Sequence, residues 1–234
     1  MFVTQAMVLV KENLEKLHER ISLAAKKSGR SAEDIALVAV TKGAALPAIL
    51  EAQACGVKIF AENRVQDAQE KIPVAPNAEW HMIGHLQSNK IKPCLGLFHC
   101  VQSVDSVRLA ERIQAELLTE NRVFPVLLEV NVSGEAQKHG FHPEEIYAAA
   151  DSIRALTQLE VRGVMGIAPN TSDMEALRAA FKKLKGVFTV LKSMKSERFQ
   201  MQTLSMGMSD DFEVAIEEGS NMIRVGRALF GGKS

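Results

Sequence analysis

A lysine set directly after an apolar run is the first residue with a chemical use. Lys42 follows IALVAVT, and lysine is rare at a packed position unless it is paired or reactive. Desolvation there disfavours the charged ammonium, and the free amine condenses with aldehydes. Position alone favours a surface lysine at a strand end. A second group lies near the C-terminus. LSMGMSDD (204–211) and RVGRALFGG (224–232) hold Gly207, Ser209, Gly226 and Gly231, with Arg227 beside them. Glycine lets backbone N–H groups approach an anion, as a phosphate seat requires. The same small residues would also close two ordinary turns. Between the two groups lies WHMIGHLQSNK (80–90). His81 and His85 are four apart, but HMIGH lacks the glutamate of the zinc-protease helix and straddles a strand end. Hydrogen-bonded neutral histidines therefore fit better than metal ligands. Asn63 ends AEN, at a strand rim. Asn131–Val132–Ser133–Gly134 and Met165–Gly166 read equally well as turns.

These residues need a frame. Short apolar runs alternate with longer stretches of helical periodicity, the pattern of βα units around a parallel sheet. Strands are expected at 35–41, 57–61, 79–83, 98–101, 124–131, 161–167, 199–205 and 222–225. Helices are expected at 106–119, 144–156 and 172–194. Ser172 is the expected N-cap of the last, with Glu175 as its capping-box partner. Pro143 followed by Glu144 and Glu145 reads as the start of the helix before it. Residues 1–28 form an amphipathic helical stretch. After the eighth strand RALFGGKS is too short for a closing helix. The N-terminal helix is thus expected to cover the seam between strands eight and one. The fold class is α/β, a (β/α)8 TIM-type barrel, read as a single domain over 1–234. Such barrels place their sites at the C-terminal strand ends and seat phosphate in the loops after strands seven and eight. Lys42 then faces that seat across one pocket, and a small phosphorylated aldehyde would bridge them.

Composition narrows the classes. Lys plus Arg and Asp plus Glu are each 28, which argues against a nucleic-acid binder that relies on bulk positive charge. Cys55, Cys94 and Cys100 are odd in number and form no C-x-x-C pair. A disulfide framework or zinc site is not expected, and three small buried side chains in a reducing cytoplasm are. No apolar run approaches the roughly 20 residues that span a bilayer, and no signal-peptide pattern opens the chain. A soluble, unprocessed, cytoplasmic protein with no membrane partner is expected.

The motifs LVAVTK, FAENRVQD, WHMIGHLQSNK, NVSGEAQKHG, RGVMGI and LSMGMSDDFEVAIEEGSNMIRVGRALFG together resemble those of the pyridoxal phosphate homeostasis proteins, whose barrel is related to the N-terminal barrel of alanine racemase. The resemblance covers about 35–231, and WHMIGHLQSNK and SMGMSDD are long and specific. It implies pyridoxal 5′-phosphate as cofactor, held as a Schiff base on Lys42. It implies Asn63 near the cofactor's edge, Met208 and Ser209 around its phosphate, and Arg224 facing the pyridine nitrogen. Gly226 and Arg227 complete the phosphate side. The chain departs from the family pattern at 43–47 (GAALP for an early Lys-Pro), at Arg64 (usually aromatic), at His85 (usually proline) and at Arg227 (often a small hydroxyl residue).

Arg224 bears on mechanism. A carboxylate keeps the ring nitrogen protonated in strong electron-sink enzymes, whereas arginine accepts no proton. An amino-acid racemase also needs a second proton shuttle, and the single tyrosine, Tyr147, falls in the helix after Pro143. The expected function is therefore a monomeric, non-catalytic carrier in vitamin B6 homeostasis that buffers the cofactor or delivers it to pyridoxal-phosphate-dependent apoenzymes. A weak racemase is the alternative, and a Schiff-base aldolase, which has no need of Arg224, a more distant one.

Overall fold

The computed structural model describes residues 2–135 and 138–231. Eight parallel strands close a barrel in chain order: β1 (Ala36–Val40), β2 (Ile59–Glu62), β3 (Glu79–Met82), β4 (Cys100–Val104), β5 (Phe124–Val130), β6 (Leu159–Gly166), β7 (Phe199–Ser205) and β8 (Met222–Val225). The described helices are α1 (Phe2–Lys27), α2 (Leu46–Ala54), α3 (Val65–Lys71), α4 (Ile91–Leu97), α5 (Val107–Glu120), α6 (Ile146–Arg154), α7 (Met174–Ser193), α8 (Phe212–Glu217) and α9 (Arg227–Phe230). This is the expected (β/α)8 barrel. Val38 of β1 stands opposite Ile59 of β2 on one side and Arg224 of β8 on the other, which closes the sheet.

The seam is covered by α1. Val10, Leu14, Leu17, Ile21 and Ala24 recur at helical spacing and are buried, so one stripe faces the barrel wall. Arg20 and Lys27 pair with Glu213 and Glu217 of α8 at 2.7 and 3.3 Å. Asn13 Nδ2 donates to the Leu229 carbonyl of α9 at 3.1 Å. A helix from the start of the chain thus does what the four-residue α9 is too short to do.

Successive strand residues face opposite sides, and the inward set has two halves. Cys100, Leu127 and Met165 pack together with Ile167 as an apolar plug. Beside it runs a polar chain from β8 to β3. Arg224 Nη1 donates to Ser205 Oγ at 2.7 Å, and that hydroxyl donates to Gln102 Oε1 at 2.7 Å. Gln102 Nε2 donates to His81 Nδ1 at 2.7 Å, and His81 Nε2 donates to Glu79 Oε1 at 2.9 Å. The His81 contact holds the Glu79 carboxyl below the usual carboxylate range. His81 is therefore hydrogen-bonded on both ring nitrogens, which fixes the ring in the barrel.

Several local expectations are corrected. The fourth strand lies at Cys100–Val104 rather than 98–101, because Phe98 ends α4, its N–H donating to the Cys94 carbonyl. The inward Gln102 and the buried Ser103 hid the rest of that strand from an apolar-run reading. Asp173, not Ser172, caps α7; its Oδ1 accepts from the Glu175 and Ala176 N–H groups at 2.9 and 3.3 Å, where a negative charge is favoured. The helix expected from Pro143 begins at Ile146, after a turn. Cys94 and Cys100 are buried, and burial pushes the Cys94 thiol up to about 12. Cys55 is only half-buried. No described helix is long and apolar enough to cross a membrane. Met1, Ala136, Gln137 and Gly232, each part of a stretch singled out above, lie outside the described residues.

Candidate functional site

Two residues past β1, Lys42 sits on a turn closed by the Ala44 N–H donating to the Thr41 carbonyl at 2.9 Å. Its side chain is exposed, not sunk in the barrel floor. The apolar run ends at Val40, and Gly43, at φ +73°, swings the chain outward. The turn is fixed from below. Glu62, fully buried at the end of β2, accepts from Thr41 Oγ1 at 2.8 Å and from the Asn63 N–H at 2.9 Å. Lys71 of α3 neutralises it, and Lys71 Nζ also donates to the Thr41 carbonyl at 2.7 Å. One buried ion pair thus holds the backbone beneath both Lys42 and Asn63. Sequence reasoning missed Glu62 and Lys71; nine residues apart across a strand end, they share no recognisable spacing.

A cavity of about 600 Å³ opens above β1, β7 and β8. Lys42 and Asn63 line one part of its wall, and Met208, Ser209, Gly226 and Arg227 line another. Arg224 is also in the wall. All seven residues singled out from the sequence therefore meet at one cavity. Arg224 is 3% exposed and anchored at both ends of its fork, Nη2 donating to the Gly166 carbonyl at 2.9 Å opposite the Ser205 contact. Burial pulls its pKa down to about 10, so it remains a cation at neutral pH.

The opposite wall is built from small residues. Ser209 Oγ accepts from the Ala228 N–H at 3.2 Å, tying the loop after β7 to the start of α9. A Cβ on Gly226 would lie 3.0 Å from the Val40 carbonyl oxygen, tighter than an ordinary contact, so glycine eases the approach of this backbone to β1. Arg227 lines the cavity, and its guanidinium pairs with the exposed Asp210.

Two smaller features adjoin. A cavity of about 310 Å³ shares Asn63, Ile83 and Ile167 with the larger one and adds Glu129, Asn131 and Lys138. Burial raises the Glu129 carboxyl to about 7, with Asp105 adding to the effect and Arg224 opposing it. Gly84, unremarked in the sequence, packs so tightly that a Cβ would lie 2.2 Å from the Asn63 carbonyl oxygen. His81 and His85 are separated as expected, the first in the barrel and the second on the loop beyond β3, where Nδ1 meets Asp105 Oδ2 at 2.9 Å. Tyr147 lies in α6, packed against the outer core.

The residues fit a small phosphorylated aldehyde. The cavity joins an exposed primary amine, a seat of small residues and a fixed cation. Asn63 Oδ1 is buried with no hydrogen-bond partner among the described residues, a state that costs about 1–3 kcal/mol unless a ligand donor meets it.

Comparison with known proteins gives a consistent picture. Residues 13–234 match the family described as alanine racemase, N-terminal domain. The chain is 39% identical to the pyridoxal phosphate homeostasis protein of Pseudomonas aeruginosa over 97% of each chain. It superposes on a protein from Bifidobacterium adolescentis described as unknown, with TM-score 0.91, 32% identity and 96% of each chain covered. PipY of Synechococcus elongatus, in a structure with PLP bound, gives TM-score 0.82 at 32% identity over 95% of this chain and all of that one.

Proposed function

The chain belongs to the alanine racemase N-terminal domain family and, within it, to the pyridoxal phosphate homeostasis proteins, and we propose that it binds pyridoxal 5′-phosphate and serves as an intracellular carrier of that cofactor. The observation that carries the reading is the single cavity in which Lys42, Arg224, Ser209 and Gly226 meet. Bound there, the cofactor supplies an aldehyde that combines reversibly with a primary amine and a pyridine ring that withdraws electrons.

Lys42 Nζ is the amine that holds it, as a Schiff base. Its position on an exposed turn lets the side chain swing to and from the cavity, which suits reversible loading. The hydroxyl of Ser209 and the backbone N–H groups at Gly226 and Arg227 hold the phosphate. Asn63 Oδ1 accepts a hydrogen bond at the cofactor's edge, and Met208 shields the phosphate side. Arg224 donates toward the pyridine nitrogen. Because a guanidinium accepts no proton, the ring nitrogen stays unprotonated and the electron sink stays weak. Tyr147, the chain's single tyrosine, lies in α6 and offers no second proton shuttle at the cavity. These features support the reading of a non-catalytic carrier that passes its cofactor to pyridoxal-phosphate-dependent apoenzymes, and the cavity is lined by residues of one chain, which supports a monomer.

Absorption titration tests the reading. Wild-type protein should develop the visible band of a lysine-bound pyridoxal phosphate at one equivalent, and Lys42→Ala should not. An identical band in Lys42→Ala would refute it.

A further inference from the structure

We propose that His85, Asp105 and His139 form a binding site for a divalent transition-metal ion at the 310 Å³ cavity that adjoins the larger one. These side chains come from three loops, those following β3, β4 and β5. One ligand atom from each, a ring nitrogen or a carboxylate oxygen, lies within 4.8 Å of the other two. His85 Nδ1 is 2.9 Å from Asp105 Oδ2, and His139 Nδ1 is 3.7 Å from the same oxygen. The two rings stack with centroids 3.9 Å apart and planes 11° from parallel. Both ring nitrogens therefore converge on one carboxylate oxygen. That arrangement needs only a splay of two side chains for a metal ion to replace the hydrogen-bonded proton.

The surroundings suit an ion. Asp105 is nearly covered, while both histidines are about half-exposed and free to splay. Ser106 Oγ donates to Asp105 Oδ1 at 3.1 Å, an outer contact that orients the ligand carboxylate. Lys138, the nearest cation along the chain, is paired with Glu135. His85 and His139 both line the 310 Å³ cavity that Glu129 also lines. Two imidazoles and one carboxylate favour Zn²⁺, Co²⁺ or Ni²⁺ over Mg²⁺ or Ca²⁺. Three protein ligands leave at least one position open. A carboxylate or water could occupy it. The proposal does not depend on the cofactor reading.

Equilibrium dialysis of the untagged, cofactor-loaded chain against Zn²⁺, with metal counted by mass spectrometry, tests it. Co²⁺ substitution adds the visible ligand-field bands of a mixed nitrogen and oxygen site. Wild-type protein should retain one ion per chain. His85→Ala and His139→Ala should retain none at the same free concentration, with circular dichroism and the cofactor band unchanged. Retention by both variants, or no retention by wild type, overturns the proposal. Loss of the cofactor band with metal retained would instead count against the carrier function and leave this site standing.

Discussion

Thr41 and Glu62 are joined by a 2.8 Å hydrogen bond inside the barrel wall, directly below the turn that carries Lys42. The same carboxylate takes the Asn63 N–H and the Lys71 ammonium. A fully buried charge with this many partners positions two site residues at once. It is also vulnerable, because removing one member of a buried pair leaves the other desolvated.

Glu62→Ala is therefore expected to destabilise the fold by about 3–5 kcal/mol, read as a lower midpoint in urea. Thr41→Val removes one partner and should cost about 1–3 kcal/mol. In both, cofactor affinity measured in the surviving folded protein should fall, because the Lys42 turn loses its anchor. Unchanged affinity in Thr41→Val would show that the turn is held without Glu62.

Gly84→Ala tests close packing rather than charge. Its Cβ would lie 2.2 Å from the Asn63 carbonyl oxygen and 2.8 Å from the Asn63 Cα. Neither is the end of a flexible side chain, so the backbone must move. A loss of about 1–3 kcal/mol or more is expected, together with weaker cofactor binding through the displaced Asn63. Ala at Gly96, where nothing lies within 4 Å, is the matched control and should bind the cofactor normally.

Glu129 sets a pH dependence. Its carboxyl titrates near 7 in the folded protein against an ordinary 4.5, so the folded state holds a proton there that the unfolded state has released. Stability from this group is complete below about pH 4.5 and lost as pH rises through about 7. The span is at most about 3 kcal/mol. Thermal midpoints from pH 5 to 8, taken with a chelator present, should fall more steeply in wild type than in Glu129→Gln. Equal slopes would mean that Glu129 is not the group responsible.

Arg224→Gln should separate anchoring from charge. The shorter amide cannot reach both Ser205 and the Gly166 carbonyl as the guanidinium does. Each unmet buried group costs about 1–3 kcal/mol. Cofactor affinity should drop, and the absorption band should move as the ring nitrogen loses its cationic neighbour. An unmoved band would place Arg224 away from that nitrogen.

The barrel was legible because buried parallel strands write themselves as apolar runs; β7 and β8 fall at their expected residues. Where the run carries inward polar residues, as at Gln102 in β4, the pattern breaks and the boundary was misplaced. Lys42, Asn63, Ser209, Gly226 and Arg227 could be named because chemistry and fold position coincide at strand ends, whereas Met208 and Arg224 came only from the family resemblance. Glu62, Lys71 and Gly84 could not, since a buried ion pair between a strand and a helix, and a backbone contact at 2.2 Å, exist only after folding. The exposure of Lys42 agrees with what its position at a strand end favours; the turn that produces it, with Gly43 at φ +73°, is not written in the preceding apolar run.

Borohydride reduction of the as-purified protein, followed by peptide mass mapping, addresses the lysine itself. One pyridoxyl-modified peptide is expected, the one carrying Lys42. A pyridoxyl group found elsewhere, on Lys90 or Lys138 for example, with Lys42 unmodified, would contradict the assignment of this amine as the cofactor's anchor.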